Sequence, residues 1–176
     1  MASKIKVDQL ETADGTGTIA LQNQLSGMTG VSMPTGSVLQ VVSAASASEE
    51  TTTSSSFQES GNLTVNITPT SASSKFWIVA SFEGYNNTAS AISYYTLSRL
   101  ISGGADTNLG GTSGMAHTRQ SSNTNESPIA MNYLDSPNTT TALTYRCKLK
   151  ASSGTAYFNK GAGTSKGSIT VMEIAG

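Results

Sequence analysis

Apolar side chains recur at every second position in run after run of this chain, and no window shows the three-to-four spacing of a helix face. Alternation of this kind places one edge of an extended segment against a core and the other toward water, which is the signature of half-buried strands. It is read at Ser37 to Ser43, Thr51 to Phe57, Asn62 to Thr68, Lys75 to Glu83, Ile92 to Ile101, Ile129 to Leu134, Ala142 to Lys150, Thr155 to Asn159 and Ser168 to Ile174. Leu63, Val65 and Ile67 share one face, as do Phe76, Ile78, Ala80 and Phe82, and as do Leu143, Tyr145, Cys147 and Leu149. These faces are expected to meet in the core. Trp77 and Val79 stand on the opposite face of their strand, which is therefore expected to be covered on both sides, centrally in a sandwich or beneath a neighbouring subunit.

About three residues in ten are Ser or Thr, which disfavours helix further. Short strands joined by polar turns at intervals of roughly 8 to 15 residues predict an all-β fold, an antiparallel β-sandwich of jelly-roll type, with a closed barrel as second choice. The 26 residues from Ser102 to Ser127 are long for a bare loop and are expected to hide a strand near Thr112 to Gln120.

The first 36 residues differ in texture. They contain no aromatic side chain, and their apolar residues are sparse: Ile5, Val7 and Leu10, then Ile19 and Leu21, then Leu25 and Met28. Pro34 and Gly36 mark the joint to the domain, read as 37–176. Ordering about 36 residues at roughly 1.5 kcal/mol each requires on the order of 2,000 Å² of apolar contact, which so few side chains reach only by sharing with other chains. Residues 1–36 therefore read as an attachment and oligomerisation arm, with Ile5, Val7, Leu10, Ile19 and Leu21 as its contact residues. Threefold association would supply the missing burial.

Ten Lys and Arg against 11 Asp and Glu leave a net charge of −1 with no block of either sign, so no footprint for nucleic acid appears. No stretch reaches the roughly 20 apolar residues that cross a bilayer, so membrane insertion is not expected. The opening residues lack the apolar core of a secretory signal, which predicts a product first held in the cytosol.

Chemistry is scarce. The one His, His117, and the one Cys, Cys147, show no spacing that suits a nucleophile or a metal. Cys147 falls in an alternating run and reads as a buried small hydrophobe. Gly111 to Met115 departs from a nucleophile elbow because Met115 stands where its second Gly belongs. Glu83 and Asp135 are two carboxyls of the kind glycoside cleavage uses, with nothing in the sequence to bring them together. No catalytic, cofactor-binding or metal-ligating residue is assigned. Tyr85, Asn86 and Asn87, in the connection read from Gly84 to Ala91, have the aromatic and amide character that stacks on sugars and bonds their hydroxyls, so they read as a host-surface loop.

The phrases KIKVDQLETADGTGTIALQNQLSGM, SMPTGSVLQVV, NITPTSASSKFWIVASFEG, YLDSPNTTTALTYRCKLKAS and SITVMEIAG, in that order, resemble fibre-like virion appendage proteins of tailed bacteriophages of the cyanophage and marine phage type. The resemblance implies a non-enzymatic structural subunit of a virion, usually a homotrimer, assembled in the host cytoplasm. Its N-terminal part would hold a tail, adaptor or capsid protein while the β-domain projects. The chain has no extended repeat shaft, so two virion placements stay open: a host-contacting appendage that binds a surface glycan or protein, and a capsid-decorating protein without host contact. A glycan depolymerase is a third, weaker reading.

Overall fold

The computed structural model describes residues 33–119, 121, 126–161, 163 and 165–176. Its regular elements are all strands: β1 (Val38–Ser46), β2 (Glu50–Thr52), β3 (Gln58–Ile67), β4 (Lys75–Asn86), β5 (Ile92–Ile101), β6 (Asp106–Asn108), β7 (Ala116–Arg119), β8 (Ser127–Asp135), β9 (Leu143–Ala151), β10 (Ala156–Phe158) and β11 (Gly167–Ile174). They form two antiparallel sheets packed face to face. In the β1 sheet, β1 pairs β11, β11 pairs β4, and β4 pairs β8 along its other edge. The short β10 continues the row of β11 against the end of β4, and β2 lies beyond it. In the β3 sheet the order is β3, β9, β5, with β6 and β7 both on the far edge of β5.

The pairing has a simple logic. β1 takes β11, β3 takes β9, β4 takes β8, and β5 takes β6 and β7, so the front half of the chain runs against the back half in reverse order. A long antiparallel ribbon wrapped in this way is a jelly roll. The sheets remain separate, so the barrel alternative is not what forms.

The three faces read from the sequence do meet in the core. Phe76, Ile78, Ala80 and Phe82 of β4 are buried against Leu63, Val65 and Ile67 of β3 and Leu143, Tyr145, Cys147 and Leu149 of β9. Each of the Leu, Ile, Val and Phe side chains among them contributes about 1.5–3 kcal/mol when fully enclosed. Phe82 packs edge-on to Tyr95 and Phe158 with ring centroids 5.1 and 4.6 Å apart, which fills one half of the sandwich. Tyr145, 5.8 Å from Phe76, fills the other.

Among the segments that differ from the sequence reading, three show the physical reason most plainly. The run from Thr51 ceases to be a strand after Thr52, because Thr52 Oγ1 accepts the Ser54 amide and Ser54 Oγ accepts the Ser56 amide, folding the serines into turns. β3 starts at Gln58, before the expected Asn62, through a bulge after Glu59 held by the Glu50 carboxylate, which accepts from Ser60 Oγ and from the amides of Gly61 and Asn62. The long connection carries the expected strand, β7, and also β6, which has no apolar alternation to announce it.

The strands give the molecule two poles. At one, the Gly36 amide donates to Ala175 O and the Ala175 amide donates to Ser37 O, so the start and the end of the described chain lie together. Pro34 to Ser37 is a turn in which Gly36 takes φ of 89°, a backbone conformation that glycine adopts without strain. At the other pole lie the β4–β5 turn and the β9–β10 turn, since β4 leaves the first pole at Lys75 and ends at Asn86. Twelve residues of strand separate the two by about 40 Å.

Candidate interaction surfaces

Alternation that buries Phe76, Ile78 and Ala80 turns Trp77 and Val79 outward, and the register decides what stands beside them. Val41 lies opposite Met172, Met172 opposite Trp77, and Trp77 opposite Leu134, which makes one apolar row across β1, β11, β4 and β8. Val38 and Ile174 extend it on one side and Val79 on the other. Val41 is 55% exposed, Val38 51%, Leu134 47% and Val79 38%, while Trp77, Met172 and Ile174 are half-buried. The charged side chains directed outward from β4 on this face are Lys75 at one end and Glu83 at the other.

The outer face of the β3 sheet is closed by its own chain. Thr96 and Ser98 point away from the core yet are buried, and Thr96 Oγ1 donates to Asn108 Oδ1 at 2.6 Å. Lys148 pairs with Asp106 at 2.7 Å, and Arg146 pairs with Glu59. Lys150 donates to Thr112 O and sits 4.7 and 5.1 Å from the ring centres of Phe57 and Tyr94. One face of the sandwich is thus finished with local charge and loops, and the other is left apolar.

Tyr85, Asn86 and Asn87 all lie at the pole opposite Gly36, and their placement corrects the loop reading for two of them. Tyr85 and Asn86 are the last residues of β4 and are buried. Asn86 Nδ2 donates to Ser93 Oγ and Ser153 O while Oδ1 accepts the Thr88 amide, so this side chain ties two turns together. The ring of Tyr85 lies between Tyr157, 5.2 Å away, and the Lys160 ammonium, 3.8 Å from its centre. Asn87 is exposed, and its Oδ1 accepts the Thr155 amide at 2.8 Å. The strand runs on past Glu83, but Gly84, Tyr85 and Asn86 are all buried, so no alternation marks its last three residues.

Glu83 and Asp135 are not a pair. Asp135 lies opposite Phe76 and Glu83 opposite Pro128, at opposite ends of the β4–β8 ladder. Asp135 is enclosed, accepting from Arg99 Nη1 at 2.7 Å and from Tyr145 Oη at 2.7 Å. Glu83 instead borders a groove of about 530 Å³ with Glu126, Pro128, Ile129 and Lys166. Burial, and then the charge of Glu126, push its carboxyl above the ordinary range, opposed by Ser165 and Lys160. Lys160 is 3.7 Å from Glu126. Glu126 escaped the sequence reading because only the β8 register brings it beside Glu83.

His117 is exposed on β7, with its ring 6.2 Å from that of Tyr94. Cys147 is a buried free thiol whose pKa is raised, by burial first and by Glu50 second. Among the described residues no three His, Cys, Asp or Glu side chains converge as metal ligands would. Ile5, Val7, Leu10, Ile19 and Leu21 lie outside the described residues.

No family model matches this sequence, and no curated protein matches it. Among solved structures, a chain from the structure of infectious bursal disease virus Gx strain is 11% identical with a TM-score of 0.41, over 77% of this chain and 40% of the viral one. A chain from the Gt strain structure is 10% identical with a TM-score of 0.38, over 78% and 38%. The Eiger TNF from S. frugiperda is 13% identical with a TM-score of 0.35, over 77% and 93%. This chain spans about two fifths of the length of the viral chains. Likenesses of this size carry no inference about activity or partners.

Proposed function

We propose that this chain is a structural subunit of a virion: a short trimeric fibre or appendage protein, held to the tail or head through residues 1–36, with the sandwich projecting and its far end meeting the host surface. The observation that carries the reading is the polarity of the sandwich. Residues 1–32 join at Met33, which lies beside Leu39 and Ala175 at the pole where the chain also ends. Asn87 and the turns that Asn86 knits together stand at the pole about 40 Å away. A subunit anchored by its first residues therefore presents that far pole outward.

The phage-type phrases in the sequence agree with this arrangement, and the proposal assigns the chain no catalytic step. Contact with a host glycan or protein would be made by Asn87 and its neighbours Thr88, Ala89 and Ser90, exposed on a framework fixed by Tyr85 and Asn86. Three copies would turn weak single contacts into useful avidity. The test is to measure the mass of the full chain in solution and to bind it to host cells, with Asn87→Ala alongside. A trimer that binds cells, and binds them less well with Asn87 replaced, is expected. A monomer at micromolar concentration would overturn the trimer, and a trimer that binds no cell would favour capsid decoration without host contact.

A further inference from the structure

We infer that the outer face of the β1 sheet, along the row Val41, Met172, Trp77 and Leu134, is where copies of this chain meet. The inference rests on the trimeric reading above and names its contact: the sandwich itself holds the copies together, in addition to anything residues 1–36 contribute.

Around a threefold axis the inward-turned face lies near its own copies, and the two outer faces differ in how well they suit that position. On the β3 sheet, Lys150, Lys148 and Arg146 stand in a column along β9. Setting that column against its own copy would take three cations, and the Asp106 and Glu59 carboxylates paired with two of them, out of water. The middle of the β1 sheet carries no charge, because Val41, Ser43, Met172, Thr170, Trp77, Val79, Leu134 and Asn132 fill its outward positions. A copy laid there meets no like charge, whereas nucleic acid or a lipid headgroup would find no cation to hold it.

Extent and position agree. Four strands about 4.8 Å apart and roughly 30 Å long offer about 500 Å² in projection, and more as accessible surface because the side chains stand off it. Two neighbours in a trimer share this face, so it supplies only part of the roughly 800 Å² that a stable contact removes from each partner, with residues 1–36 left to supply the rest. Trp77, at the centre of the row and half-buried, is the residue type that most often dominates such a contact. The face begins at Val38, just after the turn through which residues 1–32 join. Copies joined by it would carry those segments away on the same side, toward whatever holds them.

The experiment uses the full chain and two readouts. Native mass and far-ultraviolet circular dichroism are recorded for the parent, for Val41→Glu and Leu134→Glu, and for Thr112→Glu outside the face as a control. Trp77 is the one Trp of the chain, so its fluorescence reports directly on whether the face is covered. A trimeric parent and control, folded monomeric Val41→Glu and Leu134→Glu, and a red shift of the parent's emission on dilution to monomer are expected. A parent trimer unaffected by either substitution overturns the face and leaves the trimeric reading standing, while a monomeric parent removes that reading itself. Should the variants fail to fold, the parent decides alone: dissociation without a shift in Trp77 emission overturns the inference.

Discussion

Glu173 points inward from β11 and is wholly enclosed near the pole where the chain begins and ends. Burial pushes its carboxyl up, but hydrogen bonds outweigh that and hold it below the ordinary value. Gln40 Nε2 donates to it at 2.5 Å, and the Thr70 amide and hydroxyl donate at 2.7 and 2.8 Å. A carboxyl lower in the folded than in the unfolded state stabilises the fold above the unfolded pKa and loses that contribution as pH falls through the folded one. Glu173→Gln is expected to cost about 1–3 kcal/mol at neutral pH and to flatten the acid limb of a melting-temperature profile. An unchanged acid limb would show that Glu173 is not the group responsible. Gly84 makes a different demand: a Cβ there would lie 2.7 Å from Ile129 and 2.8 Å from the Tyr95 hydroxyl. That hydroxyl accepts the Tyr85 amide and donates to Tyr157 O. Gly84→Ala should therefore lower stability to urea by about 1–3 kcal/mol, and a neutral result would mean the two strands can part there at no cost. Tyr85, Asn86 and Asn87 were legible as residue types suited to a surface, but not as positions. Consecutive burial of Tyr85 and Asn86 comes from the β9–β10 turn closing over the end of β4, a contact between residues nearly 70 apart in sequence.

At the scale of elements, strands that line the core announced themselves through alternation, and β5 begins at Ile92 and ends at Ile101 as read. Elements held by side-chain bonds did not. β6 depends on Lys148 reaching Asp106 and on Thr96 bonding Asn108, while β2, read as part of a longer run from Thr51 to Phe57, is cut short by serine turns that compete with the ladder. The apolar row was half legible: Trp77 and Val79 could be seen facing away from the core. Val41, Met172 and Leu134 join them only through pairings between segments as much as 131 residues apart. The bulge in β3 offers a check on this scale, because the Glu50 carboxylate accepts from Ser60 and from the amides of Gly61 and Asn62, the last shared with Ser60 Oγ at 3.3 Å. Glu50→Ala should cost about 1–3 kcal/mol and speed hydrogen exchange at Gly61 and Asn62. Protection that persists at those two amides would assign the bulge to backbone pairing instead.

Across the described molecule both sheets share one core, and under the proposed function the join at Met33 gives the sandwich its direction. Removing residues 1–32 leaves in place every core side chain among the described residues, so the shortened chain should melt within a few degrees of the parent and yet fail to join the particle. Incorporation of the shortened chain would contradict the attachment role of those residues. The most direct measurement is imaging of the intact virion with this subunit located in it. Three copies are expected around one axis, their β1 sheets turned toward one another, Met33 toward the particle and Asn87 away from it. A single copy, or an Asn87 pole seated against the particle, would contradict the account.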